Sequence, residues 1–186
     1  MESQFIDKLF RSFSLELPRL ETLDQYLDYI LPLIRAWSED LREHEYYLET
    51  RWKEIRDDDQ FHEDVLHIFR AENEYLLSMD GNISKGQWQL LARSNTMILE
   101  RLADDAVVTS ELFDLAFLNR DFFILKKHGS HQRKYFVMAR ENIARRLEWR
   151  DTMELLFNSY RSNSQFIIFV VLAVVIVAAF IAFSLL

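Results

Sequence analysis

The sequence predicts an α+β fold in which N-terminal amphipathic helices pack on an antiparallel meander sheet or small open barrel, followed by a C-terminal helix that leads into one transmembrane helix. Three patterns support this class. Apolar residues recur with helical spacing up to residue 55, alternate with period two from residue 65 onward, and form an uncharged run at the end of the chain. The predicted segments are a helical part at 1–62, a β module at 63–140, a juxtamembrane helix at 141–161 and an anchor at 166–186.

The helical part contains two predicted helices. A short amphipathic helix covers residues 2–13. Thr22 and Gln25 then form a T-x-x-Q capping box, and the apolar spacing that follows is typical of one long helix ending near Ile55. Pro32 removes a backbone donor inside this helix, so a kink is expected there.

The β module is predicted from alternating apolar and polar residues bounded by turn residues. Asp80-Gly81-Asn82 favours a tight turn, because Gly and Asn tolerate positive φ. About six or seven antiparallel strands in meander order are expected, near residues 65–69, 74–79, 86–92, 96–101, 112–118, 121–127 and 133–139.

The final run, 166–186, contains no charge, no Gly and no Pro. As a helix it would be about 32 Å long, which matches a hydrocarbon core of roughly 30 Å. It predicts a tail-anchored, single-pass protein of the inner membrane, with the bilayer as a partner. Basic residues before the run predict a cytoplasmic N-terminus. Four of them are predicted to contact the membrane surface: Arg145, Arg146, Arg150 and Arg161.

A resemblance covers the chain from about residue 63 to the anchor. The segment 74–91 contains Gly86-Gln87-Trp88 and is followed by Ser94-Asn95-Thr96-Met97. It resembles a β module of uncharacterised bacterial tail-anchored proteins, in which a Gly-Lys-Trp-type strand precedes a Ser-Asn-Ser-Leu-type strand. Gln87 replaces the usual Lys, and Thr96-Met97 replaces Ser-Leu. The resemblance implies a bacterial origin and the predicted sheet, but no activity.

Sequence motifs give little support for catalysis or for a cofactor. The chain has no cysteine, and His62 and His67 are five residues apart, whereas a zinc-binding pair on one helix face needs a spacing of four. Arg56 and His62 have the Arg-x5-His spacing that resembles the ribonuclease motif of HEPN domains. That motif lies on a helix of an all-α bundle, whereas this one falls in a predicted loop. We therefore predict no cofactor, no metal site and no enzymatic activity.

Three functions remain open from the sequence. The first is a cytoplasmic-facing interaction or assembly module that has a protein partner or self-associates through its anchor, where Ala178 and Ala182 share a face. The second is binding of a small apolar ligand or lipid by the β module, using Trp88, Phe122 and Phe136. The third is a HEPN-like nuclease or hydrolase around Arg56, Asp58 and His62. The formal net charge of −8 argues against nucleic acid as a partner.

Overall fold

The fold is a closed barrel of eight antiparallel strands in meander order. The computed structural model describes residues 17–58, 60, 63–103, 106–129 and 133–161. The strands are β1 (Arg51–Ile55), β2 (Val65–Phe69), β3 (Glu74–Met79), β4 (Asn82–Leu90), β5 (Thr96–Ala103), β6 (Ala106–Leu118), β7 (Phe122–Lys127) and β8 (Tyr135–Arg140). Each strand pairs with its neighbour in sequence, and β1 also pairs with β8.

Strand β1 closes the barrel. Trp52 lies opposite His67 of β2 on one side and opposite Arg140 of β8 on the other. The short strand therefore pairs along both of its edges. A closed sheet has no free edge that could pair with another chain.

The predicted fold class is wrong, and β1 is the reason. The α+β prediction placed residues up to Ile55 in a long helix, whereas the helix ends at Ile34 and residues 51–55 complete the barrel. Trp52 and Glu54 point into the barrel, while Ile55 packs on the outside under a helix. Because the polar Glu54 lies on the inner face and the apolar Ile55 on the outer face, the sequence of the strand lacks the clean alternation of a half-buried strand.

Three α-helices are described outside the barrel wall: α1 (Leu23–Ile34), α2 (Glu141–Ala144) and α3 (149–161). The predicted capping box is confirmed, because Thr22 Oγ1 accepts from the Gln25 amide and the Gln25 side chain accepts from the Thr22 amide. The apolar faces of α1 and α3 cover the outside of β1, β6, β7 and β8; we call this set of buried residues the outer cluster. The predicted short helix at 2–13 lies outside the described residues.

The two ends of the barrel differ. One end is filled by the segment that precedes β1, which packs Leu41 and Tyr47 beneath the interior residues Trp52, Phe69 and Trp88. The Tyr47 hydroxyl donates to the Leu41 carbonyl over 2.8 Å, and Trp52 Nε1 donates to the Tyr47 carbonyl over 3.1 Å. We call this the plugged end. The opposite end, where β1 finishes and β8 begins, is the open end.

The predicted membrane localisation also needs correction. Among the residues that the structure describes, no helix is both long enough and apolar enough to cross a bilayer. The predicted anchor at 166–186, with Ala178 and Ala182, lies outside those residues. The tail-anchored, single-pass inner-membrane prediction is therefore not supported by the structure and is not carried further.

We expect Trp52→Ala to lower the free energy of unfolding by about 3–5 kcal/mol, because Trp52 is fully buried and its indole also donates a hydrogen bond. Urea unfolding of the full chain measures this change. Trp37→Ala is the matched control, since Trp37 lies partly buried outside the barrel against Tyr160. An equal or smaller loss at Trp52 would contradict its place inside the barrel.

Candidate functional site: a cavity at the open end of the barrel

A cavity of about 720 Å³ occupies the open end of the barrel. Its walls come from β1, β3, β5, β6, β7, β8 and the start of α1. Leu99, Phe113 and Phe136 form an apolar part of this wall. Charged and hydroxyl side chains form the remainder, so the cavity presents two kinds of surface to a ligand.

A chain of three polar side chains lies at the boundary between the cavity and the filled interior. Glu54 Oε2 lies 3.1 Å from His67 Nε2, and His67 Nδ1 lies 2.5 Å from the Tyr75 hydroxyl. Arg56 pairs with the other oxygen of Glu54. His67 and Tyr75 are each only 2% exposed and Glu54 is 8% exposed, so these polar groups satisfy one another with almost no water.

Burial determines the protonation of this chain. It lowers the pKa of His67, so the imidazole is neutral at pH 7, and it raises the pKa of Tyr75, which keeps its proton. The hydrogen bonds then run in one direction: the Tyr75 hydroxyl donates to His67 Nδ1, and His67 Nε2 donates to Glu54. Burial alone would raise the pKa of Glu54, but the hydrogen bonds from His67 and Arg56 outweigh it and lower that pKa to about 2.

The Tyr75 ring packs against Gly86. Tyr75 of β3, Gly86 of β4 and Arg101 of β5 lie in one row across three strands. A Cβ atom on Gly86 would be 2.7 Å from Tyr75 Cδ1 and 2.2 Å from the Glu100 carbonyl oxygen. The missing side chain therefore lets the Tyr75 ring lie close to the β4 backbone, from which its hydroxyl reaches His67.

The carboxylates that line the cavity already have partners. Besides Glu54, the Asp57 carboxylate accepts from the Leu23 amide, and the Asp24 carboxylate accepts from the amides of Lys134 and Tyr135. Glu111 pairs with Lys127. The acidic groups are thus engaged in holding α1 and the barrel wall in place.

The structure places the three predicted ligand-binding aromatic residues in three different environments. Phe136 lines the cavity, and its ring meets the His67 ring edge to face with centroids 4.9 Å apart. Trp88 lies toward the plugged end, where its indole donates to the Arg70 carbonyl over 2.9 Å. Phe122 belongs to the outer cluster beneath the helices. Of this set, only Phe136 lines the cavity.

The predicted membrane-surface arginines lie near α2 and α3. Arg145 pairs with Glu141 over 3.5 Å, and Arg146 is exposed. Arg150 donates to the Leu20 carbonyl over 2.8 Å, and its guanidinium lies 4.2 Å from the Trp149 ring centroid. Arg161 is the last residue described and is partly buried. At least Arg145 and Arg150 therefore have partners within the protein.

The residues of the hydrolase hypothesis are not seen together as a site. Arg56 pairs with Glu54, and Asp58 lies 3.5 Å from Arg133. His62 lies outside the described residues. In the part of the chain that the structure describes, no group of three His, Cys, Asp or Glu residues could hold a metal ion.

The sequence pattern did not predict the polar chain or Arg101 as parts of a site. One signal was present: in the predicted strand 65–69, His67 lies between Val65 and Phe69 on the same face, so a polar residue interrupts a buried apolar stripe. No comparable signal marked Glu54, because its segment has helical spacing.

Comparisons with known proteins return nothing: no protein-family model, no curated protein and no solved structure matches the chain. The resemblance to bacterial β-module proteins therefore stays a prediction, as do the interaction module, its partners and the exclusion of nucleic acid.

We expect Glu54→Gln to remove a specific pH dependence of stability. Between pH 4.5 and about 2 the unfolded chain protonates this carboxyl while the folded protein keeps it ionised. The unfolded state then binds more protons, so the free energy of unfolding falls as the pH falls through this window, by about 3 kcal/mol. The advantage of the wild type over Glu54→Gln should therefore be largest at pH 5 and shrink toward pH 2.

Urea unfolding at pH 5, 4 and 3 measures this difference. Glu111→Gln is the control: its ion pair with Lys127 is one-third exposed, and exposed pairs contribute little. A constant difference between the wild type and Glu54→Gln over this range would show that Glu54 is not held ionised by His67 and Arg56.

Proposed function

We propose that the barrel binds one small ligand in the cavity at its open end. The observation that carries the proposal is a cavity of about 720 Å³ at the open end of a barrel whose opposite end is plugged; it is lined by inner-face side chains such as Leu99 and extends over the rim to Ile55 and the start of α1. Small-molecule sites are typically concave spaces of about 300–1,000 Å³. An eight-stranded barrel has an interior that is either filled by side chains or wide enough for one small ligand. This barrel is filled at one end and open at the other.

The lining suits a ligand that has both an apolar and a polar part. Leu99, Phe113 and Phe136 offer an apolar surface, and burial of a ligand against it contributes about 25 cal/mol per Å². Tyr75 and Glu54 form a polar floor. Polar groups that are fixed in place set the orientation of a bound molecule.

The buried polar chain supports binding because it makes the floor rigid. Glu54, His67 and Tyr75 hold one another in place, and the Tyr75 and His67 rings stack with centroids 5.9 Å apart and planes 15° apart. A site that is already ordered loses little conformational entropy when a ligand enters.

We expect Leu99→Trp to remove ligand binding at the apolar part of the cavity, since the larger ring would occupy the space beside Phe113 and Phe136 that a bound apolar group needs. N-phenyl-1-naphthylamine and 1-anilinonaphthalene-8-sulfonate, which share one ring system, serve as fluorescent probes for the full chain. Leu99→Phe should weaken binding less than Leu99→Trp does. Leu91→Trp, at the plugged end where Leu91 is exposed, should bind both probes as the wild type does.

Circular dichroism and urea unfolding of each variant show whether it folds. Probe binding at any other surface remains in Leu99→Trp. Binding in the cavity is therefore taken as the saturable part of the wild-type binding curve that is absent from this variant. If folded Leu99→Trp and Leu99→Phe bind both probes as tightly as the wild type, the cavity is not a ligand site.

A further inference from the structure

We propose that the ligand of this cavity is a small organic anion, with one carboxylate, sulfonate or phosphate group on an apolar body, and that Arg101 binds the charged group. This inference rests on the proposed function and adds the chemical class of the ligand.

The cations that line the cavity differ in their pairing. Three of them have carboxylate partners: Arg56 with Glu54, Lys127 with Glu111, and Arg133 with Asp58. Arg101 also lines the cavity, but it forms none of the ion pairs found among the described residues. Arg101 is therefore the lining cation that can still pair with an anion, and a planar guanidinium can bind a carboxylate or phosphate through two parallel hydrogen bonds.

The position of Arg101 on β5 suits this role. It follows Leu99 by two residues on β5, so both side chains lie on the inner face, with Arg101 nearer the open end. It also lies beside Tyr75, separated only by Gly86, which has no side chain to fill the space between them. The side chain is exposed, so a ligand can reach it from solvent.

Apolar side chains lie below Arg101 in the cavity. Leu99 and Phe113 line the cavity deeper in the barrel, and the Phe136 ring of β8 lies beside that of Phe113, with centroids 5.5 Å apart. A molecule whose charged group binds Arg101 at the open end would place its remaining atoms against these three side chains. The carboxylates of the cavity do not take the place of the ligand's charged group at Arg101, because each already has another partner.

The test compares the same two probes, which differ by one sulfonate group. For the binding that Leu99→Trp removes, we expect Arg101→Gln to weaken the affinity for 1-anilinonaphthalene-8-sulfonate at least about tenfold, because a hydrogen bond to a charged group is lost. Binding of the neutral N-phenyl-1-naphthylamine should change by less than about twofold. Arg101→Lys keeps the charge but cannot form the two parallel hydrogen bonds of a guanidinium. Its affinity for the sulfonate probe should lie between those of the wild type and Arg101→Gln. Arg120→Gln, at an exposed turn of the plugged end, should change neither probe.

The outcomes separate the two proposals. If Leu99→Trp loses the binding of both probes but Arg101→Gln changes the affinity for neither, the cavity binds ligands and the anion proposal is wrong. If Leu99→Trp removes neither probe, the proposed function itself fails. Competition completes the test: laurate should displace the sulfonate probe, and inorganic phosphate at the same concentration should not. Equal displacement by phosphate would contradict the requirement for an apolar body.

Discussion

The pairing of β1 with both β2 and β8 is the constraint on which the rest of the structure depends. Five residues, Arg51–Ile55, supply the backbone groups that turn a seven-stranded sheet into a closed barrel. Closure gives the chain an inside, where Trp52 and Glu54 lie, and an outside, where Ile55 contacts the outer cluster. Without β1, the strands β2 and β8 would each expose an edge, and the cavity would lose one wall.

Closure also explains why a polar chain can lie so deep in the barrel. Glu54 enters the interior only because β1 is a strand of the barrel, and there it meets His67 of β2 across the adjoining ladder. A buried carboxylate without partners would be costly, whereas Glu54 has one partner for each oxygen. The polar floor of the cavity is therefore a consequence of the same pairing that closes the sheet.

The strands were the predictable part of the fold. Strands β2 and β3 have the bounds that alternation indicates, because each has one face in the interior and one that is more exposed. Strand β4 begins at Asn82, inside the stretch expected to be a turn, and β6 begins at Ala106, inside an expected loop. These extensions are exposed, and exposed strand ends carry no alternation of burial from which to predict them.

The site was less predictable, because it depends on long-range pairing. Phe136 could be nominated as an aromatic residue of a strand, but Tyr75, Gly86 and Arg101 form a row only once the register of three strands is known. Glu54 was hidden by apolar residues whose spacing through 48, 52 and 55 suits a helix as well as it suits a plug followed by a strand. Local spacing cannot separate these alternatives, since tertiary contacts decide between them.

A disulfide between β1 and β8 tests the closure most directly. The chain has no cysteine, so Lys53→Cys/Ala139→Cys creates a single possible pair, at positions that lie opposite each other in the ladder. Mild oxidation of the native protein, followed by mass spectrometry of tryptic peptides, should show this pair linked within one chain. The control Lys53→Cys/Met138→Cys, whose side chains point to opposite faces of the sheet, should stay reduced. If the first pair stays reduced in the folded protein, or if both pairs link equally, β1 does not close the barrel.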